Sequence, residues 1–464
     1  MGNTVDQLSN HFEDMTSEEM NNSLVNSASC GYEKQVELLL NNNADTHTDK
    51  DCAIRKAAEN GHFEVVKLLI ENGAYVNVLN SYSLCLASQN GHIKVVRLLL
   101  DNGANINAVK SFSLRMALEN DHEEVVDLLL HRYTYIKNID YLLQWCCYYN
   151  HKKVVKFLLN PSENKQNVNI NSKYSPLTYA AGEGHTEIVL MLLEKGTDIH
   201  ANDDEPLCLA CREGHIDIVL FLLDNGANIH VDDDSPLLWA SKNGHTKIVK
   251  LLLDRGAYCY LNNSILKWAC LGAHIEIINL LLDSGANIND GPSLYYASNK
   301  GLYDVVKLLI RRGADVLNNG NDALCSACLK NHYEIVKLLL DAGVDVNGNN
   351  DYPLLTSLEH GHLQIVKLLI EKGANVRIDN YYPLRFACQK GYFEIVKMLL
   401  DKGAFIGCDN NSALNEATKQ GYDKIVELLL NEGAYVDTNL DYTVSLAHKN
   451  NCMNVVRVFA QHHF

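Results

Sequence analysis

Hydrophobic and polar residues follow one pattern that recurs along the chain about every 30 residues. Each unit is marked by the dipeptide Gly-His or a relative of it, and we number positions in a unit from the first residue of that dipeptide. Successive markers are 28 to 34 residues apart, and most are 30 apart. The fifteen markers are Gly31, Gly61, Gly91, Asp121, Asn150, Gly184, Gly214, Gly244, Ala273, Gly301, Asn331, Gly361, Gly391, Gly421 and Asn451.

Apolar or small residues occupy positions −7, −4 and −3 of nearly every unit, as in Leu84, Ala87 and Ser88. This spacing places them on one face of an α-helix. Proline often stands at −8, which suits the first turn of that helix. A second apolar pattern follows the marker, as in His62–Ile70, and a glycine stands at +12 in eleven units. Glycine there is typical of a helix C-terminus. Each unit is therefore predicted to be helix, turn, helix and a short extended connection.

The unit at Pro206–His230, PLCLACREGHIDIVLFLLDNGANIH, closely resembles the ankyrin repeat. The resemblance implies an all-α solenoid of about 15 stacked helix-turn-helix units that acts as a protein-binding scaffold. Two features depart from the common pattern: the unit is about three residues shorter than the usual 33, and the histidine of Thr-Pro-Leu-His is absent. Thirty-residue units of this kind resemble the ankyrin arrays of giant DNA viruses of amoebae, of the mimivirus type.

The array is predicted to cover residues 21–464, with residues 1–20 as an N-terminal capping segment that keeps the end of the stack polar. The 34-residue spacing marks an irregular insertion near residues 160–173. The second helix is expected to end at Asn160 and Pro161, and the closing glycine is missing there.

Composition and charge narrow the classes of partner. The net charge of −17 argues against nucleic-acid binding, which depends on Lys and Arg. No apolar stretch is long enough to span a membrane. Fourteen cysteines without a recognisable signal peptide favour a reducing compartment. We therefore expect an intracellular monomer in the host cytoplasm that binds protein.

No pattern in the sequence indicates a catalytic, metal or cofactor site. The pairs Cys208/Cys211 and Cys325/Cys328 have CxxC spacing, but they are four units apart and too distant to share a zinc ion. The marker histidines occur one per unit, so no three can converge, and hydrogen bonding in the turn explains them. We therefore predict no enzyme activity and no cofactor.

Aromatic residues at position −5 form the most informative surface feature. A helical wheel places −5 about 200° from the core position −7, towards the inner groove of the solenoid. Exposed aromatics often dominate binding interfaces. The alternative is that these side chains pack between neighbouring first helices. The residues at −5 are Trp145, Tyr179, Trp239, Trp268, Tyr296 and Phe386.

The fifth unit combines several irregular features: Tyr148 and Tyr149 follow Trp145, and the insertion comes next. This predicts a partner contact at Trp145, Tyr148, Tyr149 and residues 161–173, unless the insertion is merely tolerated. The acidic segments Asn202–Glu205 and Asp232–Asp234 are interpreted as solvated turns and helix caps, with a contact for basic partner groups as the alternative.

Three hypotheses for function remain. The first is an adaptor that recruits or sequesters a host or viral protein. The second is a structural, virion-associated protein without a regulated partner. In the third, the chain is a hydroxylase substrate, because certain asparagines occupy a position that resembles ankyrin asparaginyl-hydroxylation sites. These are Asn77, Asn107, Asn289 and Asn347.

Overall fold

A computed structural model describes residues 15–133, 135–172, 175–259, 264–289, 291–407, 411–434 and 440–462. These residues contain fifteen pairs of helices and no β-strand. The first helices are Ser17–Cys30, Thr48–Glu59, Val78–Gln89, Phe112–Glu119, Ile139–Tyr148, Pro176–Gly182, Ala201–Glu213, Val231–Asn243, Ser264–Leu271, Ser293–Lys300, Val316–Leu329, Gly348–Glu359, Ile378–Lys390, Ser412–Gln420 and Leu440–Lys449. The second helices are Glu33–Asn41, Phe63–Glu71, Ile93–Asp101, Glu123–Arg132, Lys152–Leu158, Thr186–Glu194, Ile216–Asp224, Thr246–Asp254, Ile275–Asp283, Tyr303–Arg311, Tyr333–Asp341, Leu363–Glu371, Phe393–Asp401, Asp423–Asn431 and Met453–Gln461.

The chain forms two compact units, Met1–Ala210 with Phe221–Ala227, and Cys211–Leu220 with Asn228–Phe464. Within each unit, first helices pack on first helices of the neighbouring repeats and second helices pack on second helices. The predicted core positions are buried: Leu84 and Ala87 have no exposed surface, and neither does Leu99 in the second helix of the same repeat. The all-α repeat fold is confirmed.

Left-handed backbone conformations explain the periodic markers. Every marker from Gly31 to Asn451 has a positive φ, between 56° and 92°. This conformation ends the first helix and turns the chain into the second one, and glycine adopts it without steric cost. The glycines at +12 also have positive φ, between 79° and 97°, and they close the second helix. Tyr133, which replaces that glycine in the fourth repeat, has φ −68° instead.

The short connections contain a feature that the repeat pattern does not predict. In seven repeats of the described part of the chain, three consecutive residues at the start of the first helix have positive φ, as in Asp232, Asp233 and Asp234. In six of these repeats the three residues lie inside the helix bounds given above, which therefore include a short stretch of non-helical backbone. Asn and Asp adopt this conformation more readily than other non-glycine residues, and they occupy many of these positions. The helical conformation therefore begins after this turn, and Pro206 and Pro236 lie in the first helical turn as predicted.

The beginning of the array and the insertion both have defined structure. The first helix begins at Ser17, so the last residues of the proposed 1–20 segment belong to that helix, and residues 1–14 lie outside the described residues. Thr16 caps the helix: its hydroxyl accepts a hydrogen bond from the Glu19 amide at 3.2 Å. In the insertion, Pro161–Asn164 forms one further short helix after Leu158.

Candidate protein-binding surface

The aromatic residues at position −5 lie on the first helices, and their exposure differs. Trp145 is only 9% exposed, whereas the other five are partly exposed. For Trp145 the packing interpretation is therefore the better one, because its ring is covered by neighbouring side chains. Tyr148 and Tyr149 are 41% and 50% exposed. These two tyrosines, rather than the tryptophan, form the accessible part of the fifth-repeat surface.

Trp145 contacts Tyr149 directly, and Tyr149 in turn contacts Tyr148. The Trp145 ring centroid is 4.8 Å from that of Tyr149 and 4.9 Å from that of His151, which stacks on it. Tyr148 contacts Tyr149 edge-on at 4.8 Å, and Tyr179 of the next repeat at 6.0 Å. Contacts of this geometry stabilise ring pairs beyond simple burial. We call Trp145, Tyr148, Tyr149, His151 and Tyr179 the tyrosine cluster.

Arg115, a basic residue of the preceding repeat, also packs on the ring of Trp145. The guanidinium carbon of Arg115 is 5.7 Å from the Trp145 ring and 5.8 Å from the Tyr141 ring, within the range of a cation–π contact. Burial lowers the pKa of His151, with the carboxylate of Asp121 opposing this shift. The stacked histidine is therefore neutral at pH 7 and adds an uncharged ring to the cluster.

The insertion lies at the other end of the same helix. Its residues contact the start and middle of Ile139–Tyr148: Asn169 donates its backbone N–H to Asp140 at 2.8 Å, and Gln144 donates to Ser172 at 2.9 Å. Asn164 is buried and donates to the carbonyl of Phe157 at 3.0 Å. The structure therefore ties the insertion to the helix start, whereas the tyrosines are at the helix end. Residue 173 of the predicted contact lies outside the described residues.

A second aromatic surface runs across Val231–Asn243, Ser264–Leu271 and Ser293–Lys300. The ammonium nitrogen of Lys242 is 4.8 Å from the Trp239 ring and 4.4 Å from the Trp268 ring. The ammonium nitrogen of Lys267 is 5.2 Å from Trp268 and 5.0 Å from Tyr296. Each lysine thus lies between two rings of successive repeats. We call these five residues the lysine–aromatic row.

Sequence reasoning found the three rings of this row and missed its lysines. Lys242 follows Trp239 by three residues, so both lie on one helix face. Lys267 directly precedes Trp268, and only the stacking of repeats brings it to Tyr296. The i, i+3 spacing of Trp239 and Lys242 was the one sequence signal that could have predicted such a contact.

The remaining predicted aromatic, Phe386, belongs to a separate contact group. Its ring is 5.6 Å from that of Tyr382, and the ammonium nitrogen of Lys390 is 5.5 Å from it. The Tyr382 hydroxyl donates a hydrogen bond to Glu359 at 3.1 Å. Burial raises the pKa of Tyr382, and the hydrogen bond and charge of Glu359 add to the shift. The structure does not bring Phe386 together with the lysine–aromatic row.

The marker histidines connect neighbouring repeats. The Nε2–H group donates to a backbone carbonyl of the preceding repeat, at 2.9 Å from His92 to Glu59 and at 3.2 Å from His274 to Lys242. The ring also occupies the space beside the preceding marker glycine, where a Cβ would collide with it. The expected hydrogen bonding in the turn is therefore inter-repeat, and a structural role accounts for these residues.

The asparagines considered as hydroxylation sites also accept hydrogen bonds from the next repeat. Asn77 accepts a hydrogen bond from the backbone N–H of Asn105 at 2.8 Å, and Asn107 accepts one from Lys137 at 2.9 Å. Asn289 and Asn347 accept equivalent bonds from the following repeats, both at 2.8 Å. Each amide is thus engaged in inter-repeat bonding.

The acidic turns are only partly solvated. Asp203, Asp232 and Asp233 are exposed, but Asp204 and Asp234 are 4% and 1% exposed. For the two buried residues the interpretation as solvated turns is wrong, because their carboxylates bond within the protein. Asp234 accepts hydrogen bonds from His230 at 2.9 Å and from the Tyr258 N–H at 3.1 Å.

No cluster of side chains in the described ranges has the arrangement of a metal site, since no group of three or more His, Cys, Asp or Glu could hold an ion there. Cys325 and Cys328 are buried free thiols. Burial raises the pKa of Cys328 to about 12, so it stays protonated at neutral pH. Among the described helices, none has the length and apolarity that crossing a bilayer requires.

These features define a class of protein: an all-helical tandem-repeat protein that presents aromatic side chains on its first helices. The chain belongs to the ankyrin-repeat family, because the family model described as "Ankyrin repeats (3 copies)" matches most of its length. The matched segments are residues 2–80, 24–110, 79–140, 114–203, 143–233, 207–292, 266–350, 294–380 and 375–440. No curated protein matches the sequence. Ankyrin repeats are in general protein–protein interaction modules, and proteins built from them are typically scaffolds without enzyme activity.

Proposed function

We propose that this chain is a scaffold that binds a partner protein through the face formed by its first helices, with Tyr148 and Tyr149 at the centre of one contact. The observation that carries this proposal is a pair of exposed tyrosines in ring contact with each other, one of which, Tyr149, packs on the buried ring of Trp145. Tyrosine presents a large amphipathic surface with few rotatable bonds, so little conformational entropy is lost on binding.

The contacts that hold the rings of Tyr148 and Tyr149 in place favour a binding role over incidental exposure. Tyr149 rests on Trp145, and Tyr148 contacts both Tyr149 and Tyr179. Pre-ordered aromatic side chains are typical of residues that dominate interface energetics. The partner is expected to lie along the first helices, in the groove that the sequence predicts.

The biological setting is part of the same proposal. The 30-residue repeat resembles the ankyrin arrays of giant DNA viruses, which supports a viral adaptor that recruits or sequesters a host protein in the host cytoplasm. A basic partner suits the net charge of −17, which favours association with positively charged surfaces.

Affinity purification of the tagged chain from amoebal cells, with quantitative mass spectrometry, tests this function. The variant Y148A/Y149A removes the two exposed rings. The matched control, Y303A/Y333A, removes two tyrosines that are each 37% exposed at the start of second helices.

We expect a protein that copurifies with the original chain and with Y303A/Y333A to be lost with Y148A/Y149A, while circular dichroism shows all three chains folded. Equal recovery of every copurifying protein with the two variants would contradict the binding role of these tyrosines. Recovery of virion components alone would favour the structural alternative.

A further inference from the structure

The lysine–aromatic row has a local charge opposite to that of the whole chain. In each of its three repeats, four positions (−6, −5, −2 and −1) are at least partly exposed. These twelve described residues include Lys242, Lys267 and Lys300, and none of them is acidic. The chain carries a net charge of −17. A basic strip on so acidic a protein restricts an anionic partner to that strip, because the rest of the surface repels it.

The two lysines inside the row form no ion pair with the part of the chain that the structure describes. Lys242 and Lys267 lie over aromatic rings, and no carboxylate in the described part of the chain pairs with either. Both residues are partly exposed. The aromatic contacts hold the charges in place without cancelling them.

This arrangement selects between two kinds of ligand. Aromatic rings alone would suit a cationic group. Here the ring faces are already occupied by Lys242 and Lys267, so a cationic ligand would have to displace them. An anionic side chain can instead pair with each ammonium group, while apolar parts of the ligand contact the rings.

The dimensions of the row fit a short extended segment. Neighbouring helices pack about 8–10 Å apart, so the three helices span about 20 Å. An extended chain advances about 3.3 Å per residue, so about six residues cover this length. Lys242 and Lys267 are one repeat apart, which corresponds to about three residues of such a segment.

Acidic groups set the limits of the row. Asp232 and Asp233 are exposed and lie in the left-handed turn at the start of Val231–Asn243, the helix that carries Trp239. Tyr296 itself lines a cavity of about 450 Å³ together with Asp315 and Asp322. These carboxylates repel an acidic segment at either end of the row, so the segment is expected over Lys242 and Lys267.

We propose that the lysine–aromatic row binds an extended acidic segment of a partner protein, with Asp or Glu carboxylates paired to Lys242 and Lys267. The backbone and apolar groups of the segment pack on Trp239, Trp268 and Tyr296. This rests on the proposed function in one respect, that the first-helix face binds proteins, and it specifies the chemistry of one contacting segment, whatever the charge of the rest of the partner.

The test is a fluorescence-polarisation titration of the full chain with a labelled peptide of ten glutamates, beside a peptide of ten glutamines. The variant K242Q/K267Q removes both ammonium groups. The control K247Q/K250Q makes the same change in net charge at two exposed lysines on the second helix Thr246–Asp254.

We expect the glutamate peptide, and not the glutamine peptide, to bind the original chain and K247Q/K250Q. K242Q/K267Q should raise the Kd about tenfold, which corresponds to about 1.4 kcal/mol. Binding should weaken as salt is raised, since exposed charge pairs are screened.

Equal affinities of the two variants, or no binding of the glutamate peptide at low salt, would overturn the proposal. Binding of a phosphoserine peptide without binding of the glutamate peptide would also refute the carboxylate assignment. None of these outcomes depends on Tyr148 and Tyr149, so the proposed function can fail or hold independently.

Discussion

The inter-repeat packing of histidine against glycine predicts unequal costs for two similar substitutions, Gly244→Ala and Gly256→Ala. Both glycines have positive φ, 83° and 93°. A Cβ on Gly244 would lie 2.6 Å from Cε1 of His274, whereas a Cβ on Gly256 would have no neighbour within 4 Å. The two variants therefore share the backbone strain and differ only in the collision with the His274 ring.

The magnitudes follow from these contacts. Placing alanine in the left-handed conformation costs about 1–2 kcal/mol, which is the whole effect expected for Gly256→Ala. Gly244→Ala also displaces the His274 ring and breaks its hydrogen bond to the Lys242 carbonyl, which adds about 0.5–1.5 kcal/mol. In a His274→Ala background that extra cost should vanish, because the ring that collides with Cβ is gone.

Hydrogen exchange monitored by mass spectrometry measures these costs locally, as the free energy of opening of Val231–Asn243 and Ser264–Leu271. A local measurement is needed because repeat arrays do not always unfold in one step. If Gly244→Ala and Gly256→Ala lower the opening free energy equally, or if Gly244→Ala keeps its excess cost beside His274→Ala, the proposed steric cause is wrong.

Two further predictions concern buried polar and thiol groups. Asp234→Ala should lower the free energy of unfolding by about 1–3 kcal/mol more than Asp232→Ala, because both residues have positive φ but only the buried carboxylate accepts hydrogen bonds from His230 and Tyr258; equal effects in urea denaturation would contradict this. Burial raises the pKa of Cys270 to about 12 and that of Cys85 to about 11, whereas Cys30 is exposed. Because the thiolate is the reactive form, iodoacetamide at pH 7.5 should modify Cys30 in the folded protein and should reach Cys85 and Cys270 only after unfolding; rapid native-state labelling of Cys270 would be inconsistent with its burial.

The fold was accessible to sequence reasoning because the repeat supplies the same information fifteen times. A single Gly-His dipeptide is weak evidence for a turn, but its recurrence identifies the position that needs a left-handed conformation. Asp121, Asn150 and Ala273 adopt that conformation without being glycine, so the periodicity predicted the turn better than residue type did.

The surface was less predictable because exposure depends on the neighbouring repeats. Trp145 and Trp239 share position −5, yet Trp145 is buried by Tyr149, His151 and Arg115 while Trp239 stays partly exposed. A helical wheel describes one helix and contains no information about the side chains of the next. The burial of Asp204 and Asp234 was missed for a related reason, since their partners include groups that three successive left-handed residues bring into reach.

Site-specific photocrosslinking tests most directly whether the first-helix face contacts a partner. A photoreactive phenylalanine analogue replaces Tyr149 in one chain and Tyr303 in another, and both chains are irradiated in amoebal cells. Binding through the first helices predicts a covalent adduct with one specific protein from position 149 and none with that protein from position 303. The same adduct from position 303, with none from position 149, would contradict the proposal that the first helices form the binding surface.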